Sequence, residues 1–588
     1  MAPLETQPQD ASSAPAPAGA ESRAGRGGSP SANGTPGGAV APGGEAFAPR
    51  GEALARGVGP GAPPPLSLAV FVTLLLAAGF GALAFRVPRL DLRPMHCDEA
   101  VHAVKAGIFL DTGVYRYNPR EFHGPTLYYF SLPFIWLSGA RKFAEIGSEV
   151  PLRLAPALFG AGVVFLLFLF GDGLGRRAAV CAGVLTAVSP AMVFYSRYYI
   201  QEILLVFFTF AAIAAGWRYT RSRRLGWALL AGACLGFMHA TKETCVIAYG
   251  SILGAAVLTV VWTRWRDGHA LNVRSYLHRW HMAGALKAAV VVSVVCLTAF
   301  LSNPRATVDV TTTYLHYLVR AGAAKDATVD SAHFHDHPWR YYLQLLLYAK
   351  YRAGPVWSEA AVLILAVVGI TRALRRRKGA CEANVHLLRF VAFYTILMTI
   401  VYAAIPYKTP WCLLGFFHGM ILLAGAGFVA ILRRLRGAPA RGVAWALFAA
   451  AAGHLALQAY RGSFIYYADA RNPYVYAHTS TDFLRLAQRI EDVARLHPDG
   501  RRMLVKVMSL EYWPLPWSLR RFERVGYWSA PQEDADAPVI VAWPEFETEL
   551  DAHLSQKYEK EIYGLRPQVF LHLYIQSDLW DRFIRTRE

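Results

Sequence analysis

Asp98 and Glu99 stand side by side between His96 and His102 in the stretch Met95-His96-Cys97-Asp98-Glu99-Ala100-Val101-His102, just beyond a long apolar run. Ionisable groups this dense are costly near lipid unless they have a task. A carboxylate raised near an apolar wall can act as general base toward a hydroxyl, while an ionised neighbour orients the acceptor or holds a cation. Helix capping is the plainer reading, because Asp and Glu in a first turn suit the helix dipole. A cap accounts for one acid and leaves the rest of the cluster without a role. The same spacing offers His96, Asp98 and His102 as ligands for zinc or manganese, so a divalent metal is a candidate cofactor.

Three cations form a second constellation: Arg197 near Glu202, Lys242 beside Glu243, and Lys408 after Tyr407. A lipid-linked phosphate needs its charge neutralised at the membrane surface, by the bidentate fork of an Arg or the point charge of a Lys. Snorkelling at helix ends would also explain them, and Glu202 and Glu243 could simply pair with them. His333, His335 and His337 alternate before Pro338-Trp339, which reads as a solvated loop ahead of a proline-initiated helix rather than a metal site. Tyr and Trp crowd the same segments, as in an interfacial belt, and a sugar site would use some of them.

These residues need a membrane frame. The chain is 54% hydrophobic and only 17% charged, too apolar for an ordinary soluble protein. Its net charge of +19 does not mark a nucleic-acid binder, because the arginines fall in short clusters between apolar runs. Seven cysteines without CxxC spacing, mostly inside apolar runs, argue for neither disulfides nor a zinc ribbon. Residues 1–65, rich in Ala, Gly, Pro and Ser, read as a disordered cytoplasmic tail.

Apolar runs at 66–85, 152–171, 178–195, 203–217, 225–239, 244–263, 283–301, 358–372, 386–405, 412–432 and 442–458 predict about eleven transmembrane helices. The run 127–137 is short and contains Pro133, so it is expected to lie at the interface. With that choice, five arginine-rich loops fall on one side, cytoplasmic by the positive-inside rule. The loop 87–150, Arg197, Glu202, Lys242, Glu243, His337 and Lys408 then share the external face. The 66–459 region is thus a helical bundle with a catalytic first external loop, in the plasma membrane. Residues 460–588 follow as an external α/β domain. Its expected helices are 481–496 and 547–560, and its expected strands are 502–507, 539–543 and 568–575.

The ordered motifs resemble a known family. They are His96-x-Asp98-Glu99-Ala100-Val101-His102, Gly113-x-Tyr115-x-Tyr117-Asn118-Pro119, His123-Gly124-Pro125-Thr126-Leu127-Tyr128-Tyr129, and Tyr195-Ser196-Arg197-Tyr198-x-Ile200-Gln201-Glu202. Thr241-Lys242-Glu243-Thr244, His335-Asp336-His337-Pro338-Trp339, Pro406-Tyr407-Lys408-Thr409-Pro410-Trp411 and Glu511-Tyr512-Trp513-Pro514-Leu515-Pro516-Trp517 follow in order. Together they resemble the flippase-activity-associated membrane proteins, grouped with the GT-C glycosyltransferases beside protein O-mannosyltransferases and aminoarabinose transferases.

The resemblance implies inverting transfer of a sugar from a polyprenyl-phosphate donor to an acceptor hydroxyl on a protein, lipid or glycan at the external leaflet. It places Asp98 as base or metal ligand, with Glu99 and Glu202 as further acids at the reaction. Lys242 and Lys408 would meet the donor phosphate, and Arg197, His102, His123, Glu243, His337 and Tyr407 are substrate-binding candidates. The alternative function is a lipid-linked sugar flippase, or its accessory protein, without transfer chemistry. Transporters hold their ionisable groups at mid-membrane, and here they gather in loops.

Overall fold

The computed structural model describes residues 66–119, 123–323, 335–375 and 383–587. The expected disordered tail, His333 and Cys381 lie outside these residues. Eight described helices are long and apolar enough to cross a membrane, and a ninth span forms if the bent pair Arg176–Val188 and Pro190–Ser196 counts as one. That pair bends by 57° where Ser189 and Pro190 interrupt the helix, because proline has no N–H for the preceding turn. The expected spans at 225–239 and 358–372 are helices of 15 residues, Leu225–His239 and Ala360–Leu374. At 1.5 Å per residue each reaches only ~22 Å of a ~30 Å hydrocarbon core. The short run forms the helix Thr126–Leu137, with Pro133 inside it.

The bundle has a centre and a lipid-facing rim. The apolar window of Pro410–Leu432 is 89% buried and that of Arg279–Leu297 only 11%. Close approach at the centre uses small residues: a Cβ on Gly427 would sit 2.0 Å from the Leu365 carbonyl oxygen, and one on Gly369 2.0 Å from that of Leu423.

Helix α1 (Leu68–Arg86) leads into a short connector and then α2 (Cys97–Thr112), which carries the acidic cluster at its first turn. The last long helix, Ala438–Tyr460, runs on as a π-turn over Arg461–Ile465. Residues 466–481 then lie against the bundle, with the Tyr195 hydroxyl donating to the Tyr474 carbonyl at 2.9 Å.

The α/β core begins at the helix Asp482–Ala494, later than the expected boundary at 460. Strands β1 (Leu504–Met508), β2 (Arg524–Trp528), β3 (Val539–Ala542), β4 (Tyr558–Arg566) and β5 (Val569–Gln576) form one sheet in the order β2-β1-β3-β5-β4. The β1 pairs are parallel and the β5 pairs antiparallel. Helices Asp482–Ala494 and Ser577–Arg585 bury Phe483, Leu486, Ile490, Leu579 and Phe583 against Val505, Val507, Val539, Val541 and Leu573. The expected helix at 547–560 is a correction: only Glu547–His553 is helical, and Tyr558 onward is β4. Its Glu and Lys residues favour a helix, but pairing with β5 across the turn at Gln568 (φ 68°) overrides that preference.

Candidate active site

The acidic cluster divides into a scaffold and a free acid. His96 is the N-cap of α2: its Nδ1 accepts the Asp98 N–H at 3.1 Å, while Glu99 accepts the His96 N–H at 3.0 Å, a reciprocal cap. With Nδ1 an acceptor, Nε2 carries the proton and donates to the Tyr476 carbonyl at 3.1 Å.

Glu99 is fully buried. It accepts from Arg93 Nη2 at 3.0 Å, Arg153 Nε and Nη2 at 2.8 Å each, and the Tyr199 N–H at 2.8 Å. Burial works to raise its proton affinity, but the Arg153 and Arg93 guanidiniums outweigh it and hold the carboxyl well below the usual range. Glu99, expected as a reacting acid, is thus buried in an ion-pair network that ties the loop to Arg93 and Arg153. Asp98, one residue earlier, points the other way with its side chain 48% exposed. Among the described residues its carboxylate has Cys97 Sγ at 3.6 Å and His96 Nδ1 at 4.0 Å.

The expected metal set is not assembled. His96, Cys97 and Asp98 place ligand atoms within 4.8 Å of one another, but His102 is not among them. Its Nδ1 lies 3.0 Å from the Tyr128 hydroxyl and 3.3 Å from Gln201 Nε2. Both ring nitrogens of His96 are already engaged by backbone groups, so this donor set does not fit a metal and no chemistry is routed through one. Burial, with the nearby His123 adding to it, lowers the His102 pKa well below the usual imidazole range, so the ring stays neutral.

Two motifs far apart in sequence dock to form the next wall. The Gly124 N–H donates to the Thr241 carbonyl at 3.0 Å, and Thr126 Oγ1 donates to Thr241 Oγ1 at 2.8 Å. A Cβ on Gly124 would lie 1.9 Å from the Ala240 carbonyl oxygen, so only glycine fits. Glu243 holds the turn by accepting from the His123 N–H at 3.2 Å and pairing with its Nδ1 at 2.9 Å. Both residues thus support the site as positioning groups. Lys242 meets Glu202 at 2.5 Å, and both are buried. This pair lines a small cavity with Thr209, Thr244, Tyr394, Tyr402 and Trp411. The Trp411 ring packs 5.7 Å from that of His96, which sets the cavity beside the loop of Asp98.

The other expected cations are committed to backbone. Arg197 donates to the carbonyls of Arg86, Pro88 and Arg89 at 2.9, 2.7 and 2.8 Å and covers the Phe464 ring at 4.6 Å. Lys408 donates to the His337 carbonyl at 3.0 Å and to that of Ile405. Both are held by backbone carbonyls rather than by a carboxylate. The loops of His337 and Tyr407 cross here: the His337 N–H donates to Pro406 at 3.2 Å, and the Lys408 N–H to His335 at 2.9 Å. His337 stacks on Tyr341 at 4.1 Å, and Tyr407 packs at a tilt against His335 at 4.5 Å, so these two residues also build the wall.

Arg93, Arg153 and Arg566 carry weight that the sequence reading missed. Arg153 signals itself as a lone cation in an apolar helix, Val150–Phe165. Arg566 has no local signal: it lies at the end of β4 and reaches the loop only through the tertiary fold.

A bundle of apolar helices that carries an acidic loop at one end and a small α/β domain after its last helix has the arrangement expected of the GT-C membrane fold. The comparisons with known proteins agree. Residues 122–308 match the family described as dolichyl-phosphate-mannose-protein mannosyltransferase. ArnT from Cupriavidus metallidurans in the apo state superposes with a TM-score of 0.58 at 13% identity, over 87% of this chain and 98% of that one. The same enzyme bound to undecaprenyl phosphate gives 0.54 at 14% identity, with the same shares covered. No curated protein matches the chain by sequence. The chain is an integral membrane protein with the GT-C fold.

Proposed function

We propose that this protein is a glycosyltransferase that moves a sugar from a polyprenyl-phosphate donor to an acceptor hydroxyl at the external face of the membrane. The observation that carries the reading is the division of labour between adjacent acids. Glu99 has its lone pairs taken by two guanidiniums and two backbone N–H groups, whereas Asp98 is half exposed on the loop whose His96 ring packs against Trp411, a wall of the Lys242 cavity. The likeness to ArnT, which has been captured with undecaprenyl phosphate, supports a lipid-phosphate donor.

In the reaction Asp98 takes the proton of the acceptor hydroxyl as its oxygen bonds to the anomeric carbon. The bond from that carbon to the phosphate oxygen breaks, and the phosphate leaves with the electron pair on the lipid. A single displacement inverts the anomeric centre. Lys242 is the cation placed to meet the charge that grows on the leaving phosphate, a role best filled from a site with little water. Glu202 holds the ammonium in position before donor arrives.

The test is donor binding. Lys242→Met should weaken binding of a polyprenyl phosphate to the purified protein at least tenfold, read by native mass spectrometry in mixed micelles. Unchanged affinity in a folded variant would remove Lys242 from the phosphate site.

A further inference from the structure

The seam between the bundle and the α/β domain carries a surface that the transfer chemistry above leaves unused. Its aromatic part is Tyr512 and Trp513, half-exposed neighbours whose rings stack at 5.8 Å with 27° between planes. Tyr512 packs against Tyr527 at 5.0 Å and leans on the core of the α/β domain, while Trp513 leans on that of the bundle. The loop is held in shape by Ser509, whose Oγ accepts the Glu511 N–H at 3.2 Å and donates to the Glu511 carbonyl at 2.8 Å. Its polar part is an ion pair, Glu511 with Arg566 at 2.6 Å, with side chains 43% and 22% exposed.

This surface is tied to the first loop of the bundle from two sides. Thr479 Oγ1 donates to the Met95 carbonyl at 2.7 Å, and the next residue, Ser480, donates its N–H to Leu565 at 2.8 Å. One short segment therefore bridges the acidic loop to the residue before Arg566. On the other side Trp517 donates to Glu149 at 2.9 Å and Arg520 to the Ile146 carbonyl at 2.9 Å, fixing the end of the same motif onto the first loop of the bundle. Arg566 is close enough to act on Cys97: burial and Asp98 push that thiol up, and Arg566 opposes them.

Aromatic faces beside a carboxylate and a guanidinium are the chemistry that recognises a sugar ring. The C–H face of a pyranose or furanose lies on the aromatic rings, and its vicinal hydroxyls accept from the guanidinium and donate to the carboxylate. A phospholipid surface would call for a cluster of cations, and here the one Arg is neutralised by Glu511. We propose that Tyr512, Trp513, Glu511 and Arg566 form the acceptor subsite, and that the acceptor is a glycan, presented to Asp98 by the α/β domain. The role as acceptor subsite rests on the transferase reading; the binding of a glycan there does not.

The experiment measures saccharide binding without donor, so it is separable from transfer. Full-length protein in detergent is titrated with α-mannobiose, cellobiose and maltotriose by saturation-transfer NMR, with a threonine-rich peptide in parallel. At least one saccharide should bind the wild type, and Trp513→Ala, Glu511→Gln and Arg566→Gln should each weaken it at least tenfold. Polyprenyl-phosphate binding should be unchanged in all three. If Trp513→Ala fails to fold, Tyr512→Leu and Glu511→Gln carry the same test. No binding of any saccharide to the wild type, equal binding in folded variants, or loss of peptide binding instead would each overturn the proposal. Saccharide binding that depends on these residues in a protein that transfers nothing would leave the subsite standing and remove the transferase reading.

Discussion

Replacing Glu99 by Gln should destabilise the protein while Asp98→Asn leaves its stability unchanged. Glu99 sits between Arg93 and Arg153 with no exposure of its own. Gln keeps the shape but turns one acceptor into a donor that faces a guanidinium, and leaves two buried cations without a counter-charge. Removing one partner of a buried ion pair costs about 3–5 kcal/mol, or roughly 150- to 5,000-fold in the folded-to-unfolded ratio. Asp98 is half exposed, with Cys97 Sγ at 3.6 Å and His96 Nδ1 at 4.0 Å beside its carboxylate, so its neutralisation costs little.

Acid gives a second reading of the same pair. The folded pKa of Glu99 is depressed, so its stabilisation is fully present above the unfolded value near ~4.3 and is lost as pH falls through the folded one. The wild type should therefore lose thermal stability below about pH 4 more steeply than Glu99→Gln. The assay is the apparent unfolding temperature in detergent from pH 3 to 8. A Glu99→Gln protein as stable as the wild type at pH 7 would refute the anchoring role.

Gly124→Ala should prevent the first loop from docking on Thr241, since its Cβ would lie 1.9 Å from the Ala240 carbonyl oxygen. The readout is faster proteolysis within the 113–119 segment together with a lowered unfolding temperature, and an unchanged cleavage pattern would contradict the docking. Arg197→Gln should lower stability by about 2–4 kcal/mol, from carbonyls left without a donor, yet leave polyprenyl-phosphate affinity within about twofold, under 0.5 kcal/mol. A large loss of lipid affinity at unchanged stability would restore Arg197 to the phosphate site.

The apolar runs and the acidic cluster are legible because hydropathy and residue type are local properties. Each expected span falls on helical segments, one of them a pair bent by 57° and two others single helices short of membrane thickness. The partners of a buried charge are not local. Glu99 owes its role to Arg153, 54 residues further on, and nothing beside Glu99 in the chain separates it from Asp98. Arg197 reads as a cation beside a membrane surface, and only the fold brings three carbonyls of the α1 exit around it. The same limit hid Arg566, at the far end of β4, and the first residues of that strand, 558–560, read as the end of a helix because their charges have helical preference.

The most direct measurement is single-turnover consumption of a panel of polyprenyl-phosphate sugars by purified protein with membrane acceptors, wild type against Asp98→Asn. The account predicts transfer by the wild type and none by a folded Asp98→Asn protein that still binds the donor lipid. Equal turnover in both would contradict Asp98 as the base. No turnover with any donor, alongside measured lipid translocation, would replace the transferase with a flippase.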